Sequence, residues 1–219
     1  MTSDSRAVWF VALAGLLLSG LIASMPAIAV GAVAEMTKLP ARVQQAAERM
    51  ADRPEAGAVG QSIVVDVPNQ RLYLFENGSL EADYPVSTAE RGTGNREGSM
   101  QTPLGLHRVA EKFGEDAPAG MIFRGRRSTG EVADILTGPD ERAERDDVTT
   151  RIFWLDGLEP GVNRGGKVDS KGRYIYIHGT PEEGRIGRPA SHGCVRMTNA
   201  DVIELFDRVE IGALVDIIE

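Results

Sequence analysis

The hydrophobic pattern divides this chain into three stretches. From Val8 to Val33 it is apolar on every face, with hydroxyls only at Ser19 and Ser24 and a late Pro26. Behind the short polar opening Met1 to Arg6, such a run reads as a secretory signal peptide or an uncleaved membrane anchor, so residues 1–34 are set aside from the fold. Ala27-Ile28-Ala29 and Ala32-Val33-Ala34 both fit small-x-small cleavage. Residues 35–58 are mixed in charge and read as a linker. Their centre, Arg42 to Met50, predicts a short helix broken by Pro54 and Gly57. Residues 59–219 then form one domain with a core of its own.

Within that domain the pattern is mainly β. Ser62 to Val67 reads as a strand, Pro68-Asn69-Gln70 as a turn and Arg71 to Glu76 as the return. Asn77-Gly78 is a strong hairpin signal leading into Leu80 to Val86. Further strands are predicted at Leu104 to Val109, Arg151 to Leu155, Arg173 to His178 and Ala213 to Ile218. The clear helix is Ala200 to Arg208, with Thr198 and Asp201 as a capping box and Val202, Leu205, Phe206 and Val209 on one face. Short strands with many turns predict a β-sandwich or barrel-like domain closed by one C-terminal helix. Phe123 to Thr150 is long, charged and poorly patterned, and reads as a mobile loop or lid. On the alternation Leu104-x-Leu106, His107 faces away from the apolar side and reads as a surface residue.

Charge sharpens this picture. The net charge of −8 argues against a nucleic-acid partner. Yet seven basic residues (Arg164, Lys167, Lys171, Arg173, Arg185, Arg188, Arg196) face only three acidic ones (Asp169, Glu182, Glu183) between Gly161 and Arg196. The chain has a single cysteine, Cys194, inside that locally cationic stretch. Such surroundings favour thiolate and attract carboxylates. In an oxidising compartment an unpaired cysteine makes no disulfide and needs another reason to be present.

Around the thiol runs Ser191-His192-Gly193-Cys194-Val195-Arg196, sixteen residues after His178. A thiol near imidazoles suits a nucleophile with its base. Tyr174 to His178 alternates like a strand, which puts His178 at a strand end. In an extended segment His192, Cys194 and Arg196 share one face. The N–H groups of Gly193 and Cys194 are candidate oxyanion donors. A zinc site from His178, His192 and Cys194 has suitable ligand types but no matching spacing, and a non-catalytic binding module would have no use for the thiol.

His178-Gly179-Thr180 followed by Ser191-His192-Gly193-Cys194-Val195-Arg196-Met197 resembles the signature of the L,D-transpeptidase (YkuD) catalytic domain family. The likeness extends from about Gln61 to Ile218, through Val65-Asp66, Leu74-Phe75, Pro85 to Thr88 and Thr102 to Gly105. It implies Cys194 as nucleophile and His178 as general acid/base, oriented by the Gly179 carbonyl. It gives His192 a positioning role, Ser191 a hydrogen bond within the loop, and Arg196 either a substrate carboxylate or the bracing of the loop. The implied reaction is acyl transfer on peptidoglycan stem peptides without metal or organic cofactor. The acceptor is left open among another stem peptide, a lipoprotein, a D-amino acid and, in a hydrolase of the same fold, water. The implied location is the periplasm, with the protein soluble or held at the inner membrane.

Overall fold

A computed structural model describes residues 38–53 and 59–219 of the chain. The apolar run from Val8 to Val33 and its cleavage sites lie outside the described residues. Among the described residues no helix is long and apolar enough to cross a membrane.

The strands are β1 (Gln61–Asp66), β2 (Arg71–Glu76), β3 (Ser79–Pro85), β4 (Gly105–Phe113), β5 (Met121–Arg124), β6 (Arg127–Val132), β7 (Val148–Gly157), β8 (Tyr176–Gly179), β9 (Val195–Met197) and β10 (Leu214–Ile218). Among the described residues, two α-helices, α1 (Ala41–Ala51) and α2 (Asn199–Arg208), pack on them. All ten strands join one sheet, in the order β3-β2-β1-β10-β4-β7-β5-β6, with β8 on β7 and β9 on β8. Ser87, just past β3, exchanges both backbone hydrogen bonds with Arg196 of β9. That bridge ties the two ends of the curved sheet together, so the domain is barrel-like, as its short strands and turns predict. The Asn77-Gly78 signal is realised as a two-residue hairpin with both residues at positive φ (49° and 80°), the geometry that matches strand twist.

Two apolar layers explain why β1 reads as an unbroken Ile63-Val64-Val65 run. Ile63 and Val65 face the main core with Leu72, Leu74, Val215 and Ile217, under Val202, Leu205 and Phe206 of α2. Val64 faces the other way, into a second cluster with Tyr73, Phe75 and Leu214. That second layer is roofed by α1, whose Val43, Ala46, Ala47 and Met50 fall on one face and are buried. Two arginines of α1 clamp it down: Arg42 donates twice to Asp66 at 3.0 Å, and Arg49 to Asp216 at 3.1 Å. The predicted short helix in the linker is present, and it is docked on the sheet rather than held away as a spacer. Its apolar face is small, largely alanine, which is why composition alone reads it as a connector.

Two expectations are corrected. The loop expected from Phe123 to Thr150 contains the β5–β6 hairpin and the start of β7. Strand β6 is polar and almost wholly exposed, so it has no period-2 signature. Gly125 and Arg126, both at positive φ (54° and 67°), close this hairpin in the same way as Asn77-Gly78. His107 is not on the surface. It is fully buried, with Nε2 2.9 Å from Ser170 Oγ and Nδ1 2.8 Å from the Gly105 carbonyl. In β4, Leu106 packs into the layer under α1 while Val109 packs into the main core, so apolar residues lie on both faces and the alternation does not mark His107 as outward.

The closing helix runs from Asn199 to Arg208, and Thr198 caps it by accepting the Asp201 N–H at 3.1 Å.

Candidate active site

Strands β8 and β9 run parallel, with Ile177, His178 and Gly179 opposite Val195, Arg196 and Met197. Side chains alternate along each strand, so Tyr176, His178, Cys194 and Arg196 fall on one side. The sequence spacing is thereby converted into a single surface. Cys194 sits where β9 begins; its sulfur accepts the Tyr176 N–H at 3.4 Å and donates toward the Tyr174 carbonyl at 3.5 Å.

His178 is buried, and its Nδ1 lies 2.6 Å from the Gly179 carbonyl. That carbonyl can only accept, so Nδ1 carries the proton and Nε2 keeps its lone pair. Burial pulls the His178 pKa down to about 4; Asp146 and the Gly179 carbonyl oppose the shift, and Arg196 adds to it. Gly179 tolerates no side chain: an added Cβ would stand 2.7 Å from Asn199 Oδ1 and 2.9 Å from the Thr149 carbonyl. Behind it, Asn199 accepts from Thr149 and Thr150 and donates to the Thr180 carbonyl and Glu183. This buried amide pins the strand end that carries His178.

The thiol departs from expectation. A cationic stretch predicts a lowered pKa, but burial pushes the Cys194 thiol up to about 11, although the residue as a whole is half-exposed. The Tyr176 N–H, Arg196 and Arg173 pull the other way and do not outweigh burial and Asp146. Among the cations counted along the sequence, Arg185, Arg188 and Arg196 are met by carboxylates. Arg196 lies 2.9 Å from Glu182 and 2.5 Å from Asp146, Arg185 pairs with Glu182, and Arg188 with Asp140. The resting site is therefore a neutral thiol beside a neutral imidazole.

Arg196 is buried, with both terminal nitrogens on carboxylates of this chain, while its Nε has no partner among the described residues. Of the two roles open to it, bracing is the one its contacts supply. Ser191 works within the loop: its hydroxyl donates to the Cys194 carbonyl at 2.6 Å and accepts the Gly193 N–H at 3.2 Å. Gly193, at φ 133°, is thus partly spent as an oxyanion donor, whereas the Cys194 N–H is paired with no acceptor among the described residues.

His192 is largely exposed, and its Nδ1 lies 2.6 Å from Asp146 Oδ2. Asp146 is the residue that sequence reasoning misses. It reaches His192 through one oxygen and Arg196 through the other, and it acts electrostatically on His178 and Cys194. Burial would raise its carboxyl pKa, but Arg196 and the histidines hold it below its ordinary value. It stands in the irregular stretch before β7, and neither spacing nor composition separates it from the acids around it.

A thiol and an oriented imidazole on neighbouring strands, behind a Ser-His-Gly-Cys turn, define the class of site. The chain belongs to the L,D-transpeptidase catalytic domain (YkuD) family, whose model matches residues 60–217. Over 174 residues it is 46% identical to the probable L,D-transpeptidase YbiS of Escherichia coli (strain K12), covering 74% of this chain and 45% of that protein. The probable L,D-transpeptidase ErfK/SrfK of Salmonella typhimurium (strain LT2) is 46% identical over 163 residues, with the same coverage of 74% and 45%. The chain spans less than half the length of these two relatives. Among solved structures, L,D-transpeptidase 3 from Mycobacterium tuberculosis with a faropenem-derived adduct overlaps 74% of this chain and 61% of its own, at 17% identity and a TM-score of 0.46.

Proposed function

We propose that this protein is a cysteine acyltransferase acting on peptidoglycan stem peptides. The observation that carries the reading is the placement of His178 and Cys194 on one side of two adjacent parallel strands, with the imidazole fixed by the Gly179 carbonyl. The Cys194 sulfur attacks the diaminopimelate carbonyl of a tetrapeptide stem while its proton passes to His178 Nε2. The oxyanion so formed is met by the Cys194 N–H. Collapse breaks the C–N bond, His178 returns the proton to the leaving D-alanine amine, and a thioester remains on Cys194. An acceptor amine then attacks the thioester, gives its proton to His178 and releases the stem, and the sulfur recovers a proton.

A neutral starting pair makes proton transfer part of the attack itself. General base catalysis of this kind contributes on the order of 10²–10⁴-fold. An imidazole with a pKa of about 4 is unprotonated throughout the neutral range, so the base is always available there. The acceptor amine belongs to a second stem, a lipoprotein or a free D-amino acid; water in its place gives a carboxypeptidase. The apolar run Val8 to Val33 supports export, which puts the site where stem peptides are. Mass spectrometry of muropeptides from cells with and without the protein tests the reading. New peptide cross-links, lipoprotein-bearing stems or exchanged terminal residues support transfer. Loss of terminal residues alone identifies a hydrolase, and unchanged muropeptides contradict both.

A further inference from the structure

An open groove of about 550 Å³ is lined by Arg126, Trp154, Arg164, Lys171 and Tyr174 among others, and Tyr174 links it to Cys194. Its acids are already engaged: Asp156 accepts from Arg108, and Asp169 accepts the N–H groups of Gly165 and Gly172. Trp154 and Tyr174 are stacked with centroids 6.0 Å apart, and Tyr174 is 56% exposed. Tyr174 also holds a left-handed backbone, φ 58°, which a bulky residue rarely adopts. Its carbonyl is the one that faces the Cys194 thiol.

Arg126 is the distinctive member. The Gly125-Arg126 turn delivers its guanidinium to 4.0 Å from the Trp154 ring and 5.4 Å from Tyr174, and it donates to the Tyr176 hydroxyl at 2.9 Å. Tyr176 is the residue whose N–H meets the Cys194 sulfur. Arg196, Arg185, Arg188 and Arg142 each face a carboxylate, Arg173 donates to two backbone carbonyls, and Arg164, which also lines the groove, acts electrostatically on Asp169. Among the described residues, Arg126 is paired with no carboxylate. It is held in place by aromatic faces and one hydroxyl, leaving donors for a ligand.

We propose that this groove is a carboxylate-binding subsite adjoining Cys194, with Arg126 as its charge and the Trp154–Tyr174 pair as its wall. The inference rests on the acyl-transfer reading and adds how the donor is held. The two residues joined by the attacked bond each carry a free carboxylate: that of the departing D-alanine and that of the diaminopimelate side chain. Either fits a guanidinium fork. Loss of one charge-assisted pair weakens binding by about ten- to a hundred-fold.

The test is titration of the full chain carrying Cys194→Ala with a tetrapeptide stem, its terminal amide and its diaminopimelate side-chain amide, with Arg126 intact and as Arg126→Gln and Arg126→Lys. The expected results are a weakening of at least ten-fold for Arg126→Gln, a smaller loss for Arg126→Lys, and an equal loss for one amidated stem. Arg126→Gln should be blind to that same amidation, which identifies the carboxylate. Binding of Arg126→Gln within two-fold of its parent, or losses from substitution and amidation that multiply, would overturn the subsite. Stem binding that depends on Arg126, in a protein whose Cys194 never forms an adduct, would uphold the subsite and refute the acyltransferase. A parent that binds no stem refutes both.

Discussion

Cys194 and His178 are individually poor reagents at rest. The thiol is raised to about 11 and the imidazole lowered to about 4, each chiefly by burial. Reactivity therefore depends on moving the proton during attack rather than on a standing thiolate. The pH dependence follows with a definite sign: the base is lost only as pH falls through about 4, so acylation should stay level from neutral pH to about 5 and then decline. A stopped-flow pH profile with an inflection near 6.5 would contradict it. His178→Ala should abolish acylation, whereas His192→Ala should retain part of it, since His192 is exposed and held only through Asp146. Asp146→Asn should slow acylation at least ten-fold by releasing both His192 and Arg196, and should cost about 2 kcal/mol because buried Arg196 loses one of two counter-charges. The nucleophile, the base and the serine of the loop are legible in sequence because they sit in one short motif and on one strand end. Asp146 and Asn199 are not, because their function comes from folded proximity over 50 residues or so. The cationic stretch suggests a lowered thiol pKa for a related reason: counting cations along a chain ignores the burial and the carboxylates that the fold brings to them.

At the scale of elements, the legible parts are those with a strong local signature. The Asn77-Gly78 hairpin, the Thr198-capped helix and the apolar β1 run all have one. The β5–β6 hairpin looks like a loop in sequence because β6 is polar on both sides and β5 has only four residues. Helix α1 shows the same limit, since only Val43 and Met50 among its four buried residues are large. Its contribution is still substantial: Met50→Ala should lower stability by about 2–4 kcal/mol in urea unfolding, the cost of a cavity between α1 and the sheet. Unchanged stability would mean that α1 is not docked as described. His107, inside β4, adds a pH signature to the scaffold. Burial holds its pKa at about 4, below the unfolded value, so its contribution is present above about 6.5 and lost as pH falls toward 4. The fall in stability between pH 7 and 4.5 should be shallower in His107→Gln by about 2 kcal/mol. An identical slope would show that His107 is already charged at pH 4.5.

For the molecule as a whole, one curved sheet places two histidines and a thiol at its seam, where β8 and β9 meet the chain leaving β3. The barrel-like closure was predictable from strand density, but which strands neighbour which was not, because pairing such as β1 with β10 joins the two ends of the domain. Export is the proposal that belongs to this scale. A fusion of Met1 to Gly60 to a reporter active only outside the cytoplasm should be active, and an inactive fusion in a secreting cell would remove the periplasmic assignment.

The central claim is that Cys194 carries the substrate as a thioester. Intact-mass measurement after mixing the protein with a tetrapeptide stem tests it most directly. The account predicts a single adduct equal to the stem less its D-alanine, present in the wild-type chain and absent from Cys194→Ala. Turnover of the stem by Cys194→Ala, or a wild-type protein that consumes the stem with no adduct even when quenched within the first turnover, would contradict it.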